Sequence, residues 1–563
     1  MHRKKPFSAK QKKAQIQAKR AQKREQAEQD DPEWDFGAGP GPRGSQAEAD
    51  KPRGDPGRNK LTSQFDKLTR PEIEANKKRS MQPLERRAAE QCLVMSFDEA
   101  YSADVDIPVR PEWRRSESKE AVEAREEAYF AQWLARIQEL RDQDSVSLYE
   151  KNLEVWRQLW RVVEISDVLL LIVDIRHPVL HFPPSLYRYV VETAGKPLVV
   201  VLNKTDLVAP ATVAAWTAYF RERFPAVQLA TFCCYRGAVA AVDEDSSVAA
   251  MKQRRRRPRR RVYESAQVGR LLAACRDVCE PGKRAVVDWD EIIARYAGPD
   301  GEPPSGEPPA ESDDESGDES DAESVAAADG HAAGDAEPAG GARHVTIGLV
   351  GHPNVGKSTV INSIARRSVV STSRTPGHTK HFQTIHVAPT LRLCDCPGLV
   401  FPCVVERPLQ VLAGLYNIAQ VQEPYTAVQY LAERVPVEQV LALRPPPDAR
   451  GPAAAYRWSA WDICEAFAVD RGFFTPKAAR PDVYRAALYM LRWVLDGRVL
   501  LSFKPPGFFA AGGGARPASH LPTAAEERRP ADAGSDASGS EDGGGGAPIA
   551  RQSAFALLGE ESC

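Results

Sequence analysis

Residues 351–358 read Gly-His-Pro-Asn-Val-Gly-Lys-Ser, between the apolar run Val345 to Val350 and a helix-like stretch from Thr359 to Arg366. A G-x-x-x-x-G-K-[ST] loop between a strand and a helix lets successive backbone N–H groups converge on phosphate oxygens at the helix N-terminus. Few other patterns constrain a fold as tightly, because strand, loop and helix are all specified. The loop offers Gly351, Asn354, Val355, Gly356, Lys357, Ser358 and Thr359 as nucleotide-binding candidates. Lys357 supplies a cation for the phosphates, and Ser358 a ligand for magnesium. A glycine-rich surface turn is the bland alternative, and the flanking strand and helix weigh against it.

A second half of a nucleotide site lies upstream. Val168 to Asp174 (VLLLIVD) and Leu198 to Leu202 (LVVVL) are nearly continuous apolar runs, as suits strands buried on both faces of a parallel sheet. The second run leads into Asn203-Lys204-Thr205-Asp206, an NKxD sequence. The Asp206 carboxylate can accept from both N1–H and the exocyclic amine of guanine, a pair that adenine lacks. Asn203 can bond N7, and the Lys204 stem can lie over the ring. Val227 to Phe232 makes a third strand, followed by Cys233-Cys234-Tyr235 where a Ser-Ala pair is usual in GTPases. The position fits a backbone contact to guanine O6 and the letters do not.

Downstream of the phosphate loop, Ser371 to Lys380 is polar and rich in breakers, as a switch loop would be. Thr379 is the expected ligand for magnesium and the γ-phosphate. Phe382 to Val387 and Leu391 to Cys394 are the remaining strands, the latter ending in Asp395-Cys396-Pro397-Gly398. In this D-x-x-G pattern Asp395 can hold a magnesium-bound water and the Gly398 N–H can bond the γ-phosphate. Lys357, Asn354, Thr379 and Gly398 are thus the catalytic candidates, and Ser358, Thr379 and Asp395 the metal ligands. Leu399 stands where Ras-like enzymes carry a water-orienting glutamine, so slow intrinsic turnover is expected. An ATPase would require NKTD to be accidental.

The strands number six, as in a Ras-like domain with five parallel strands and one antiparallel. Their order differs, since the base-recognising half precedes the phosphate half. The expected fold is therefore an α/β, circularly permuted Ras-like P-loop GTPase domain with a six-stranded, mostly parallel sheet. A helical C-terminal domain follows, and disordered tails and a long charged insertion complete the chain. Permutation is tolerated where the old termini lie close together.

The order NKTD, GHPNVGKS, TPGHT and DCPG, with Asp174-Ile175-Arg176-His177-Pro178, resembles the circularly permuted GTPase family whose bacterial members act in ribosome assembly. The resemblance covers residues 147 to 235 and 344 to 507. It implies binding of GTP and GDP, a magnesium ion and a link to ribosomal particles. It also implies potassium at the residue matching Asn354. A nucleotide-gated scaffold or signalling protein that binds GTP with little hydrolysis fits the same residues.

The remainder of the 563 residues sorts by composition. The net charge of −2 hides segregated blocks of opposite sign. Residues 1–60 form a basic, disordered arm with Arg3, Lys4, Lys5 and further cations to Arg24, suited to RNA phosphates or to a nuclear or nucleolar address. Residues 61–146 read as a partly helical extension. Residues 236–343 read as a charged, partly disordered insertion, with arginines at 254–257 and 259–261 and acidic serines near 311–323. The GTPase halves are then 147–235 and 344–404, the helical domain is 405–507, and an acidic, disordered tail runs from 508 to 563. That domain is a possible site for a protein partner. Ten cysteines without C-x-x-C pairs argue against zinc and disulfide frameworks and for a reducing compartment. No apolar run approaches the ~20 residues of a membrane span, so an intracellular protein is expected, nuclear or nucleolar ahead of cytoplasmic.

Three helical patterns stand out. Tyr149, Leu153, Trp156, Trp160 and Val163 share a face, with Ser147 and Glu150 as a capping box. Leu409, Leu412, Leu415 and Ile418 share another, as do Tyr484, Leu488, Leu491 and Leu495 before Gly497. Trp458, Trp461 and Cys464 mark a further helix, with Ser459 and Asp462 near its start.

Overall fold

The computed structural model describes residues 68–102, 104–142, 146–234, 265–297, 344–373, 376–377, 379, 381–446, 456–475 and 480–510. The basic arm, the arginine cluster, the acidic serines, Tyr235 and nearly all of the C-terminal tail lie outside these residues. Helices of nine residues or more are α1 (Arg70–Ser80), α2 (Lys119–Asp142), α3 (Leu153–Ile165), α4 (Pro210–Arg223), α5 (Ser265–Val278), α6 (Lys357–Ala365), α7 (Tyr425–Arg434), α8 (Ala460–Arg471) and α9 (Val483–Leu495). The strands are β1 (Val168–Asp174), β2 (Leu198–Asn203), β3 (Gln228–Phe232), β4 (Val345–Val350), β5 (Gln383–Ala388) and β6 (Leu391–Asp395).

These strands form one sheet in the order β3-β2-β1-β4-β6-β5. Every neighbouring pair is parallel except β5 with β6. The seam between the two halves of the chain is β1 with β4, where Val168 to Leu171 face Ile347 to Val350 in register. Strand residues alternate between two cores. Leu169, Leu171 and Val173 pack with Trp156 and Trp160 of α3, whereas Val168, Leu170 and Ile172 pack with Leu271 of α5 and Ile361 of α6. Both faces are buried, which is why β1 and β2 are apolar at nearly every position rather than at every second one. The order of strands is that of a circularly permuted Ras-like domain.

Residues 265–297, grouped above with the charged insertion, belong to this packing. Val268, Leu272 and Cys275 of α5, with Trp289 and Ile292 of a short helix after it, fill the core beneath β2, β3 and α6. They cover a sheet face that would otherwise be exposed.

The expected capping box at Ser147 and Glu150 is absent. The Ser147 N–H donates to the Cys403 carbonyl at 2.8 Å, its hydroxyl to the Val405 carbonyl, and the Glu150 N–H to the Val400 carbonyl at 2.9 Å. Those backbone bonds hold residues 147–150 extended along 400–405, so α3 starts at Leu153 with Asn152 as its cap. Trp156 and Trp160 are fully buried, and their indole N–H groups donate to the Glu150 and Pro108 carbonyls.

The C-terminal region is helical. Ser459 and Asp462 make the capping box of α8. The face from Leu409 to Ile418 is broken, because the first helix ends at Leu412 and Gly414 turns the chain at φ +79°. In α9 the buried residues are Val483, Ala486, Ala487, Met490, Leu491, Trp493 and Val494, whereas Tyr484 is 40% exposed. Gly497 does end that helix, at φ +71°. Among the described residues no helix is long and apolar enough to cross a membrane.

Candidate nucleotide site

The phosphate loop follows β4 directly, and Lys357 opens α6. Gly351 and Gly356 adopt φ of +140° and +106°, conformations that L side chains rarely reach. A Cβ on Gly356 would lie 2.4 Å from Asn203 Nδ2, so the loop and the base-binding half meet at a point where only glycine fits. Lys357 is buried, and its Nζ donates to the carbonyls of Gly351 at 3.0 Å and His352 at 2.7 Å. Burial lowers its pKa to about 8, against the opposing pull of Asp395. Ser358 and Thr359 follow on the first turn of α6, while Val355 points into the core.

The base-binding half is joined to that loop. Asn203, at the end of β2, donates from Nδ2 to the Val355 carbonyl at 2.8 Å. Lys204, at φ +62°, donates from Nζ to the Asn354 carbonyl at 2.7 Å and to Asp174 Oδ2 at 2.8 Å. Asp206 sits half-buried in the short turn that follows. Thr205 donates to the Phe232 carbonyl at 3.3 Å, bringing the end of β3 alongside. Cys234 Sγ lies 3.8 Å from Asn203 Oδ1, so Cys234 adjoins the NKxD turn.

At the phosphate end, Ser358 Oγ donates to Asp395 Oδ2 at 3.3 Å. The other oxygen, Oδ1, is buried with no hydrogen-bond partner among the described residues. Burial raises the Asp395 pKa, partly offset by Lys357. A buried carboxylate oxygen without a donor fits a cation, and a hydroxyl beside a carboxylate is a hard oxygen set suited to magnesium. Gln383 of β5 reaches the same carboxylate at 3.5 Å, a contact across the antiparallel pair that no motif spacing announces. Thr379 is half-buried. Its neighbours 378 and 380 lie outside the described residues, and among the described residues no hydrogen bond joins it to Ser358 or Asp395. Gly398 abuts the phosphate loop so closely that a Cβ would lie 2.8 Å from Pro353 N. Leu399 is buried, its N–H donating to the Gly351 carbonyl at 3.3 Å.

Residues 346–435 match the family model described as 50S ribosome-binding GTPase. Guanine nucleotide-binding protein-like 1 of Rattus norvegicus is 41% identical over 548 residues, covering 90% of this chain and 86% of that protein. The chain belongs to the guanine nucleotide-binding protein-like 1 family. It carries the P-loop site of a GTPase and is a GTP hydrolase by that membership. The Drosophila melanogaster protein named large subunit GTPase 1 homolog is 31% identical over 433 residues, 75% of this chain and 67% of that protein. The solved structure of GNP-bound YlqF from T. maritima overlaps 63% of this chain and 98% of its own at 15% identity and a TM-score of 0.32.

Two residues of this guanine nucleotide-binding protein-like 1 relative were not singled out as site residues by sequence. Asp174 and Arg176 form a buried ion pair that also receives Lys204. The visible signal is the Asp174-Ile175-Arg176-His177-Pro178 run, whose aspartate is the last residue of an apolar strand. His352 of the loop packs against His181 at 5.3 Å and Phe401 at 5.0 Å between ring centroids. Burial pushes the His181 pKa down to about 3, so this cluster packs as neutral rings.

Proposed function

We propose that this protein is a GTP-dependent switch with slow intrinsic hydrolysis that acts on ribosomal particles during their assembly. The observation that carries the slow turnover is Leu399, an apolar residue folded into the core beneath the phosphate loop at the position where a water-orienting glutamine is usual. The loop backbone from 352 to 358 and Lys357 would bind the β and γ phosphates, and the Gly398 N–H the γ-phosphate, as positioning and charge stabilisation. Ser358, Thr379 and Asp395 would hold magnesium, which supplies charge neutralisation on the phosphates when bound. Asn354 would offer an oxygen to potassium. Asn203, Lys204 and Asp206 would select guanine. Loss of the γ-phosphate would release the loop carrying Thr379.

The ribosomal role draws on the matched family description and on the basic arm, whose composition suits RNA and a nuclear or nucleolar location. Sedimentation of the full-length protein with ribosomal subunits, in a GTP analogue and in GDP, tests it. Co-sedimentation in one nucleotide state alone is expected, and none in either state counts against it. The buried Leu399 also favours a second reading, a scaffold that binds GTP and barely hydrolyses it. Single-turnover hydrolysis that stays unchanged on adding subunits would favour the scaffold.

A further inference from the structure

Beneath the base-binding half lies a set of charges that nucleotide contact does not require. Asp174 and Arg176 are each about 1% exposed. Arg176 meets Asp174 through Nε at 3.0 Å and Nη2 at 2.8 Å, and Lys204 Nζ meets the same carboxylate at 2.8 Å. The remaining arm of the guanidinium, Nη1, donates to the Val494 carbonyl at 2.8 Å. That carbonyl is in the last turn of α9, the end of a helix that carries partial negative charge. One residue thus touches both the partner of the guanine-site lysine and the end of a helix from the C-terminal domain.

The connection closes on its other side. Lys204 Nζ donates to the Asn354 carbonyl at 2.7 Å, and Asn354 Nδ2 donates to the Gly414 carbonyl at 2.8 Å. Gly414 in turn lies against α9, where an added Cβ would come within 2.9 Å of Leu495 Cδ2. The base-binding turn, the phosphate loop and the end of α9 are therefore joined in a ring.

We infer that Asp174 and Arg176 are positioning residues for nucleotide recognition, holding the Lys204 ammonium against the phosphate loop and tying it to the last turn of α9. Taking a carboxylate and a guanidinium out of water is costly, and apolar residues of similar volume often join elements at least as firmly. What charge adds is direction, since a fork of N–H groups fixes the carboxylate that fixes the lysine. Burial alone would raise the Asp174 carboxyl, but Arg176 and Lys204 hold it well below the usual range, so the pair stays ionised.

The inference rests on the GTP reading, and its test separates the two. Full-length protein with magnesium is titrated with a fluorescent guanosine diphosphate, and amide exchange of residues 494–499 is followed with and without nucleotide. In the unaltered protein, nucleotide is expected to slow exchange there. Arg176→Lys keeps a cation beside Asp174 but cannot also span to Val494. We expect it to bind about five- to tenfold more weakly and to lose the exchange response. A mere loss of packing would lower stability while leaving that response in place. Unaltered protein whose exchange at 494–499 ignores bound nucleotide overturns the inference, as does an Arg176→Lys protein that matches it in both readouts. If Arg176→Lys does not fold, the exchange response of the unaltered protein decides. Unaltered protein that binds no guanine nucleotide overturns the GTP reading and the inference with it.

Discussion

Asn354 Nδ2 donates to the Gly414 carbonyl across 2.8 Å, joining the crest of the phosphate loop to the turn after the first short helix of the helical domain. A carbonyl only accepts, so this contact orients the amide and leaves Oδ1 as its acceptor atom. If Asn354 ligates potassium through that oxygen, as the resemblance to circularly permuted GTPases implies, potassium is expected to accelerate hydrolysis several-fold over sodium. Steady-state rates in the two salts check this. An Asn354→Ala protein with the full potassium response removes the residue from that role.

Under the proposed base site, Asp206→Asn exchanges a carboxylate that would accept from two guanine donors for an amide that matches xanthine. Preference should move toward xanthosine nucleotides by at least tenfold, as expected for one buried pair of hydrogen bonds gained and another lost. Competition binding between GTP and xanthosine triphosphate measures it. Undiminished GTP selectivity would place the base elsewhere.

The Lys357 pKa of about 8 predicts a pH dependence with a definite sign. Above that value the free protein loses the proton that a bound phosphate would favour, so affinity for GDP should fall as pH rises from 7 to 9. Proton uptake should accompany binding in the upper part of that range. Between about 8 and the ordinary lysine value the unfolded chain holds the proton and the folded one does not. This group therefore makes the nucleotide-free protein more stable as pH rises through that window. Calorimetry in two buffers of different ionisation enthalpy reads the proton count, and a pH-independent affinity would contradict it.

Leu399→Gln restores the residue usual in Ras-like enzymes, yet the side chain at 399 is buried. Rather than speeding hydrolysis, the change should bury an amide and lower stability by about 1–3 kcal/mol. Single-turnover rates and thermal melting distinguish these outcomes. An increase of tenfold or more would mean that the loop after Gly398 swings outward when nucleotide binds.

The strands and the phosphate loop were legible because burial on both faces writes itself into sequence as unbroken apolar runs, and because glycine at 351 and 356 answers a backbone demand. The start of α3 was not. Ser147 and Glu150 spell a capping box, but residues 400–405, remote in sequence, offered their backbone instead. In α9 the leucine spacing points to one stripe, of which Leu491 is buried, while the alanines at 486 and 487, silent in a hydrophobic pattern, are also fully buried. Asp395 and Ser358 could be paired by motif. Gln383 could not, since a cross-strand neighbour depends on register.

The pairing of β1 with β4 sets an order of events when the chain is made from its N-terminus. The strands leading to the NKxD turn emerge first, and β1, buried at every position in the finished sheet, has one edge without its partner until Val345 to Val350 arrive. An open apolar edge is what neighbouring chains pair with. A newborn copy of this protein thus holds its NKxD half before its phosphate loop, with that edge of β1 unpaired in the interval.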